Sequence, residues 1–327
     1  MPETNNSLPH SPPAQYRSIY RAGLFDGQVI VITGAGSGMG RCTAHELASL
    51  GAQVVLVGRT LDKLQTVAQE IAQAQGKAAC YVADIRDEER VKAVVGEIVA
   101  RFGRIDGLVN NAGGQFPSPL HRISAKGFDA VVRSNLTGGF LMARECYNQA
   151  MRLQKSGAVV NIIMDIWGAV PGMGHSGAAR AGMLSLTETM ALEWAPIRAN
   201  AVAPGFIATS GMDKYPPIMS PLIRRIHEDV PLQRLGTESE VASAICYLLS
   251  SAAAFVSGAC LKIDGAAPTA RRHWPLVGMG GSNEKFDGFH LAQTPKVLQK
   301  GSMITDNRMA RGFVRWMQQK WIRKNTG

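Results

Sequence analysis

The sequence predicts an α/β fold, a doubly wound parallel sheet covered by helices on both faces. Two observations predict it. The β-branched run Val29–Thr33 ends in the turn Gly34-Ala35-Gly36-Ser37-Gly38-Met39-Gly40, and a helical pattern follows from Arg41 through Leu50. From there to Gly265, short apolar runs alternate with helix-length periodic stretches. That alternation gives βαβ units, whose right-handed crossovers place a ligand at the carboxyl ends of the strands.

The glycines of the first turn let the backbone turn tightly and approach a pyrophosphate with no Cβ in the way. The helix that follows points free N–H groups and its positive end at the phosphates. The second strand is Gln53–Gly58. A helix over Leu61–Ala74 begins near Thr60 and stops before Gly76. Lys77–Ile85 reads as strand three, Arg86–Phe102 as a helix closed by Gly103, and Ile105–Asn110 as strand four. A long helical pattern covers Ala125 to Gln154. Strand five is Val159–Met164, a helix spans Ser176 to Trp194, and strand six is Ala199–Val202. Thr237-Glu238-Ser239-Glu240 is a capping box that opens a helix reaching Ser250. Leu261–Asp264 is the last strand.

Three regions follow: a flexible leader at 1–26, a nucleotide-binding domain at 27–265, and a basic extension at 266–327. The leader is rich in Pro, Ser and Asn and has no apolar signal core, although Tyr16 to Leu24 can pack on the body. No apolar run reaches the roughly 18 residues needed to span a membrane. Five scattered cysteines suit a reducing compartment, here the cytoplasm, and form no metal site. The extension holds eleven Lys/Arg against three Asp/Glu and so carries +8 of the net +10. Within it, 309–324 reads as a helix with Phe313, Trp316, Met317 and Lys320 along one side. That helix either packs on the body or a second copy, or makes a weak peripheral contact with an acidic membrane surface. Its charge also suits the phosphates of an acyl carrier. No nucleic-acid partner is expected.

The end of strand two sets the choice of nicotinamide dinucleotide, since a carboxylate there would accept hydrogen bonds from the ribose. Val57-Gly58-Arg59-Thr60 has none. Arg59 instead offers a planar cation suited to a 2′-phosphate, which favours NADP(H), and Arg41 can add charge.

The chain resembles the short-chain dehydrogenase/reductase superfamily from about Gly27 to Gly265. The carriers are Thr33-Gly34-x-x-x-Gly38-x-Gly40, Asp84, Asn110-Asn111-Ala112-Gly113, Asn135 and Pro204-Gly205. The resemblance implies a Rossmann-type sheet. It also implies that Thr33, Gly34, Ser37, Gly38, Met39 and Gly40 form the phosphate turn. Asp84 and Ile85 take the adenine, Asn111, Ala112 and Gly113 lie by the ribose, and Pro204, Gly205, Ile207 and Thr209 reach the nicotinamide. A homodimer or homotetramer paired through the helices 125–154 and 176–194 is implied as well.

Members that oxidise alcohols use a Ser and a Tyr-x-x-x-Lys pair. Here Ser176 stands at the Tyr position, Arg180 at the Lys position, and Ile163 at the upstream Ser position. Segments 110–119, 134–138 and 175–182 look like peroxisomal-type trans-2-enoyl-CoA reductases, and the related 2,4-dienoyl-CoA reductases also lack that Tyr. The implied activity is NADPH-dependent reduction of the conjugated double bond of an enoyl-CoA thioester. No alcohol proton then needs removing. Asn135, Ser176 and Arg180 are the implied catalytic set: Arg180 holds the ribose and biases the field, Asn135 positions a water or the thioester oxygen, and Ser176 donates a hydrogen bond. His175 is a candidate acid whose helical register turns it away, and Asp165 either closes a loop or relays a proton. The alternatives are an alcohol or aldehyde dehydrogenase of the citronellol type and a non-catalytic cofactor-binding module.

Overall fold

The computed structural model describes residues 15–215, 217–269 and 281–299. The helix expected at 309–324 lies outside the described residues. Seven parallel strands form one sheet in the order β3-β2-β1-β4-β5-β6-β7. The strands are β1 (Val29–Thr33), β2 (Gln53–Gly58), β3 (Lys77–Val82), β4 (Gly107–Asn110), β5 (Ala158–Ile162), β6 (Arg198–Pro204) and β7 (Cys260–Ile263). The order reverses between β1 and β4, and the switch point lies there. Every residue of β1, β4 and β5 is buried. Covered on both faces, these strands read as unbroken apolar runs rather than as alternations.

One face carries α1 (Gly38–Ser49), α2 (Leu61–Gln73) and α9 (Glu238–Leu249), packed through Leu47, Leu64 and Ile245. The other carries α3 (Glu88–Phe102), α5 (Gly138–Cys146) and α7 (Gly174–Glu193), packed through Val94, Met142 and Met190. Each fully buried aliphatic side chain contributes about 1.5–3 kcal/mol. The capping box of α9 forms both its bonds: Glu240 N–H to Thr237 Oγ1 at 3.1 Å, and Thr237 N–H to Glu240 Oε2 at 2.9 Å. At the other end of α9, Arg198 donates to the carbonyls of Leu248, Leu249 and Ser250. A guanidinium there satisfies otherwise orphaned acceptors and matches the negative helix end.

The long helical stretch expected from Ala125 to Gln154 is not one regular α-helix. α4 (Ala125–Val132) passes through a π turn, Arg133–Thr137, into α5, and a second π turn, Tyr147–Met151, leads into α6 (Arg152–Gln154). A short helix absent from the sequence reading, α8 (Ser220–Arg225), follows β6.

The described part of the leader packs on the body. Tyr16 is buried, stacks on Phe289 at 6.0 Å, and donates to Glu46 Oε2 on α1 at 3.1 Å. Residues 281–299 of the extension lie beside it, with Arg17 N–H bonded to Gly288 O at 2.9 Å. Phe289 N–H bonds Ser239 Oγ at 3.1 Å, and Thr237 Oγ1 donates to Phe286 O at 2.6 Å. The arm and the extension thus clasp α1 and α9 together.

Candidate active site

The glycine turn has the shape of a phosphate cradle. Gly34 and Gly38 take φ values of +66° and +60°, where a Cβ is disfavoured. A Cβ at Gly40 would stand 2.6 Å from Gly34 O, so helix and strand approach only because it is absent. Ser37 caps α1 with no side-chain bond, and no acidic residue stands in the first turn. The helix end keeps its donors and its positive field for an anion. Ser37 is exposed and Met39 half-buried at the mouth of this turn. These residues fit a dinucleotide pyrophosphate.

Thr33 fastens β1 to the end of β4. Its Oγ1 accepts from the N–H groups of Asn111 and Ala112, each at 3.0 Å, and Asn111 Nδ2 donates to Thr33 O at 2.9 Å. Asn110 is buried and donates to Gly139 O and Asn161 Oδ1, both at 2.9 Å, while Asn161 donates to Thr187. This polar chain ties β4 and β5 to α5 and α7.

Arg59 is exposed at the end of β2. Arg41 is committed elsewhere, paired with Glu70 at 2.7 Å. Asp84 receives Arg86 on both its oxygens, and those bonds hold its carboxyl below the usual range. Ile85 is buried against Gly138. Gly205, after Pro204, bonds back to Ile263 O at 2.9 Å. Ile207 is buried beside a bridge to Gly236, and Thr209 Oγ1 accepts from Gly211 N–H at 3.2 Å.

Asn135, Ser176 and Arg180 come together above β4 and β5. Asn135 lies in the π turn, where a widened turn re-aims its backbone carbonyl. That carbonyl faces Arg180 Nη1 at 3.5 Å, and Ile162 O accepts from the same nitrogen at 2.6 Å. The side chain of Asn135 instead clasps Gly114, donating to its O at 2.8 Å and accepting from its N–H at 3.0 Å. Gly113 gives this cluster room, since a Cβ there would lie 2.5 Å from Asn135 Oδ1 and against the guanidinium. The polar partners of Arg180 are the carbonyls of Asn135 and Ile162, not carboxylates, and desolvation pulls its pKa down to about 10. It therefore stays cationic at neutral pH.

Ser176 is buried and donates from Oγ to Gln115 Oε1 at 2.8 Å. Its other neighbour is Met164 Sδ at 3.5 Å. This corrects the expected register at the end of β5. Met164, not Ile163, faces Ser176, because Ile163 turns into the core against Met183, Ala201 and Ala203. A slip of one residue exchanges the two faces of an extended segment.

His175 is fully buried, with its ring edge-on to Phe116 at 4.5 Å. Its Nδ1 accepts from Ser176 N–H at 3.0 Å, so the proton of the neutral ring sits on Nε2. Asp165 closes a turn, accepting from Trp167 N–H at 3.1 Å. Burial raises its pKa, Asp264 adds to that, and Lys262 opposes it. Two residues that the sequence reading passed over complete the cluster. Gln115 touches Ser176, and Gln115 Nε2 donates to Tyr215 Oη at 3.5 Å. No local sequence signal marks a contact across a hundred residues.

Among the described residues no group of three or more His, Cys, Asp or Glu is placed to hold a metal ion. No described helix is long and apolar enough to cross a membrane.

Known proteins share this architecture. A sequence-family profile described as enoyl-(acyl carrier protein) reductase matches residues 34–266. A probable 2,4-dienoyl-CoA reductase, (2E)-enoyl-CoA-producing, of Bacillus subtilis (strain 168) is 37% identical over 243 residues, 73% of this chain and 95% of its own. A peroxisomal 2,4-dienoyl-CoA reductase of Danio rerio is 33% identical over 276 residues, 81% of this chain and 91% of its own. Among solved structures, a citronellol catabolism dehydrogenase of Pseudomonas aeruginosa PAO1 is 55% identical with a TM-score of 0.70. That match covers 77% of this chain and all of the other.

Proposed function

The chain belongs to the short-chain dehydrogenase/reductase superfamily, oxidoreductases that bind NAD(P), and within it we propose an NADPH-dependent reductase of trans-2-enoyl-CoA thioesters. One observation carries the reading. Where alcohol-oxidising members keep a phenol and an amine, this site holds a serine hydroxyl already bonded to Gln115 and a half-buried guanidinium bonded to carbonyls. Neither group takes a proton from an alcohol near pH 7. A serine hydroxyl is too weak an acid to stand in for a phenol, and Arg keeps its proton.

Reduction of a conjugated double bond needs something else. When bound, the nicotinamide supplies a hydride for the β-carbon. The electron pair then moves toward the thioester oxygen, and a fixed positive charge nearby lowers the barrier. Arg180 is such a charge in a buried setting, beside the exposed Gly113-Gly114 loop. Asn135 holds that loop through both ends of its amide. Ser176 keeps Gln115 in register. Arg59, exposed at the end of β2 in a segment, 57–60, that holds no carboxylate of its own, favours NADPH over NADH through the 2′-phosphate. The dienoyl-CoA reductases among the relatives support a thioester substrate.

A second reading has its own support: the relative at 55% identity is named for citronellol catabolism. A third, a cofactor-binding module without turnover, would share the phosphate cradle. Assembly as a dimer or tetramer belongs to the same proposal. Leu153 and Leu192, on the two helical stretches expected to pair, are 71% and 82% exposed. Light scattering at micromolar concentration tests it, and a clean monomer mass refutes it.

A substrate panel tests the function. It comprises trans-2-enoyl-CoA, 2,4-dienoyl-CoA, citronellal and citronellol, each with both dinucleotides. The expected result is NADPH oxidation with an enoyl-CoA. Turnover of citronellol alone moves the protein to the second reading, and NADPH binding without any turnover moves it to the third.

A further inference from the structure

Reduction across a double bond also needs a proton at the α-carbon. Ser176 cannot easily give it, because its hydroxyl hydrogen lies on Gln115 Oε1 at 2.8 Å. His175 is sealed in, its ring covered by Phe116 and one nitrogen held by Ser176 N–H. Asp165 turns toward Trp167, and its charged neighbours are Asp264 and Lys262, not Arg180.

Gln115 points the way outward. With Oε1 accepting from Ser176, its amide must present Nε2 on the other side, and there it meets Tyr215 Oη at 3.5 Å. A phenol that accepts this N–H keeps its own O–H free to donate. Tyr215 is half-buried, in the segment between β6 and α8 that also carries Ile207 and Thr209. That segment is braced from outside by the extension. Val297 N–H bonds Asp213 Oδ1 at 3.0 Å, and Arg224 Nε donates to Val297 O at 2.5 Å.

We propose that Tyr215, set in place by Gln115, delivers the proton to the α-carbon of the substrate. The inference rests on the enoyl-CoA reading above. Hydride addition at the β-carbon breaks the double bond and leaves an enolate whose charge lies on the thioester oxygen. The enolate pair then forms a C–H bond at the α-carbon with the Tyr215 phenolic hydrogen. The O–H electrons stay on the phenolate, which water reprotonates. A phenol, with an unperturbed pKa of about 10, is a far stronger acid than an aliphatic hydroxyl. The phenol missing from the helix α7 position is thereby supplied from another part of the chain, and Gln115 is a positioning residue.

The test compares Y215F, Q115L and D165N with the parent protein on an enoyl-CoA that the parent reduces. Y215F is expected to lower kcat by about 10²-fold or more, the usual span of general acid catalysis. It should leave NADPH binding, read by fluorescence quenching, and the Kd of a saturated acyl-CoA, read by calorimetry, within about two-fold. Y215F should leave the KM for the enoyl-CoA within about two-fold, and D165N should keep kcat within about three-fold of the parent. Q115L should lower kcat by about ten-fold with KM little changed, and should add little further loss when combined with Y215F. If Y215F retains kcat within about three-fold, or if D165N rather than Y215F causes the large loss of kcat, the proposal is overturned. If the parent reduces no enoyl-CoA at all, the functional reading fails first and the proposal falls with it.

Discussion

Replacing Glu46 by Gln should change the way stability depends on pH. Glu46 sits on α1 with no exposure, and its oxygens accept from Tyr16 Oη at 3.1 Å and Ser18 Oγ at 3.0 Å. Burial pushes its pKa from an ordinary 4.5 up to about 7, against the smaller pull of Ser18, Tyr16 and Cys246. The folded protein therefore holds this proton where the unfolded chain has released it. Stability from the neutral carboxyl is complete below about pH 4.5 and is lost as pH rises through about 7. At about 1.36 kcal/mol per pKa unit, the shift corresponds to roughly 3 kcal/mol. Gln keeps the shape and has nothing to ionise. E46Q and the parent should match near pH 4, and E46Q should be more stable by up to about 3 kcal/mol at pH 8, roughly 4–6 °C in Tm. Glu238, also raised to about 7 by burial, contributes equally to both proteins and cancels in the difference. Urea unfolding followed by circular dichroism from pH 4 to 8 measures this. A difference that does not change with pH would refute the account of the clasp between the arm and α1.

Three further outcomes are expected. R59S should weaken NADPH binding by about 10–100-fold, the worth of a charge-assisted contact to phosphate, and leave NADH nearly unchanged; tighter NADH binding by the parent would defeat the cofactor argument. R180Q should lower kcat on an enoyl-CoA by about 10²–10³-fold, while stability holds or rises, because a partly desolvated cation whose partners are carbonyls is costly to keep. Cutting the chain after Ala266 should leave NADPH binding largely intact. The cut should also destabilise the protein or its assembly, and raise the KM for CoA esters in a way that shrinks as salt rises. An unchanged assembly state and KM at low salt would count against both roles of the extension.

Much of the frame was legible because it depends on local chemistry. The β-branched run before Gly34 and the Thr237–Glu240 box are each decided by neighbours in sequence, and both form as read. The π turn at Arg133–Thr137 was hidden, since apolar spacing along a helix does not reveal one extra residue in a turn. It decides which face of Asn135 meets Arg180. The register at Met164 was hidden for a related reason: an apolar pair at a strand end gives no sign of which member faces the core. The charge count of the extension likewise concealed its anchor, Phe289, which is buried between the arm and α1.

The unread part of the site shares one property. Gln115 and Tyr215 sit in segments without period, and their contact spans a hundred residues of sequence. Such contacts depend on where the sheet brings two loops, not on what flanks either residue. The substitutions at the expected catalytic places were visible, and they mark where to look. With Met164 Sδ 3.5 Å from Ser176 Oγ on the inner side, the shorter hydrogen bond of that hydroxyl, at 2.8 Å, runs outward to Gln115. The path for a proton therefore follows Gln115 to the β6–α8 segment. The extension then gains a reason to be there: by holding Asp213 and Arg224 it fixes the segment that carries Tyr215. Loss of the extension should consequently lower kcat as well as affinity. A truncated protein that loses only affinity would separate the extension from the chemistry.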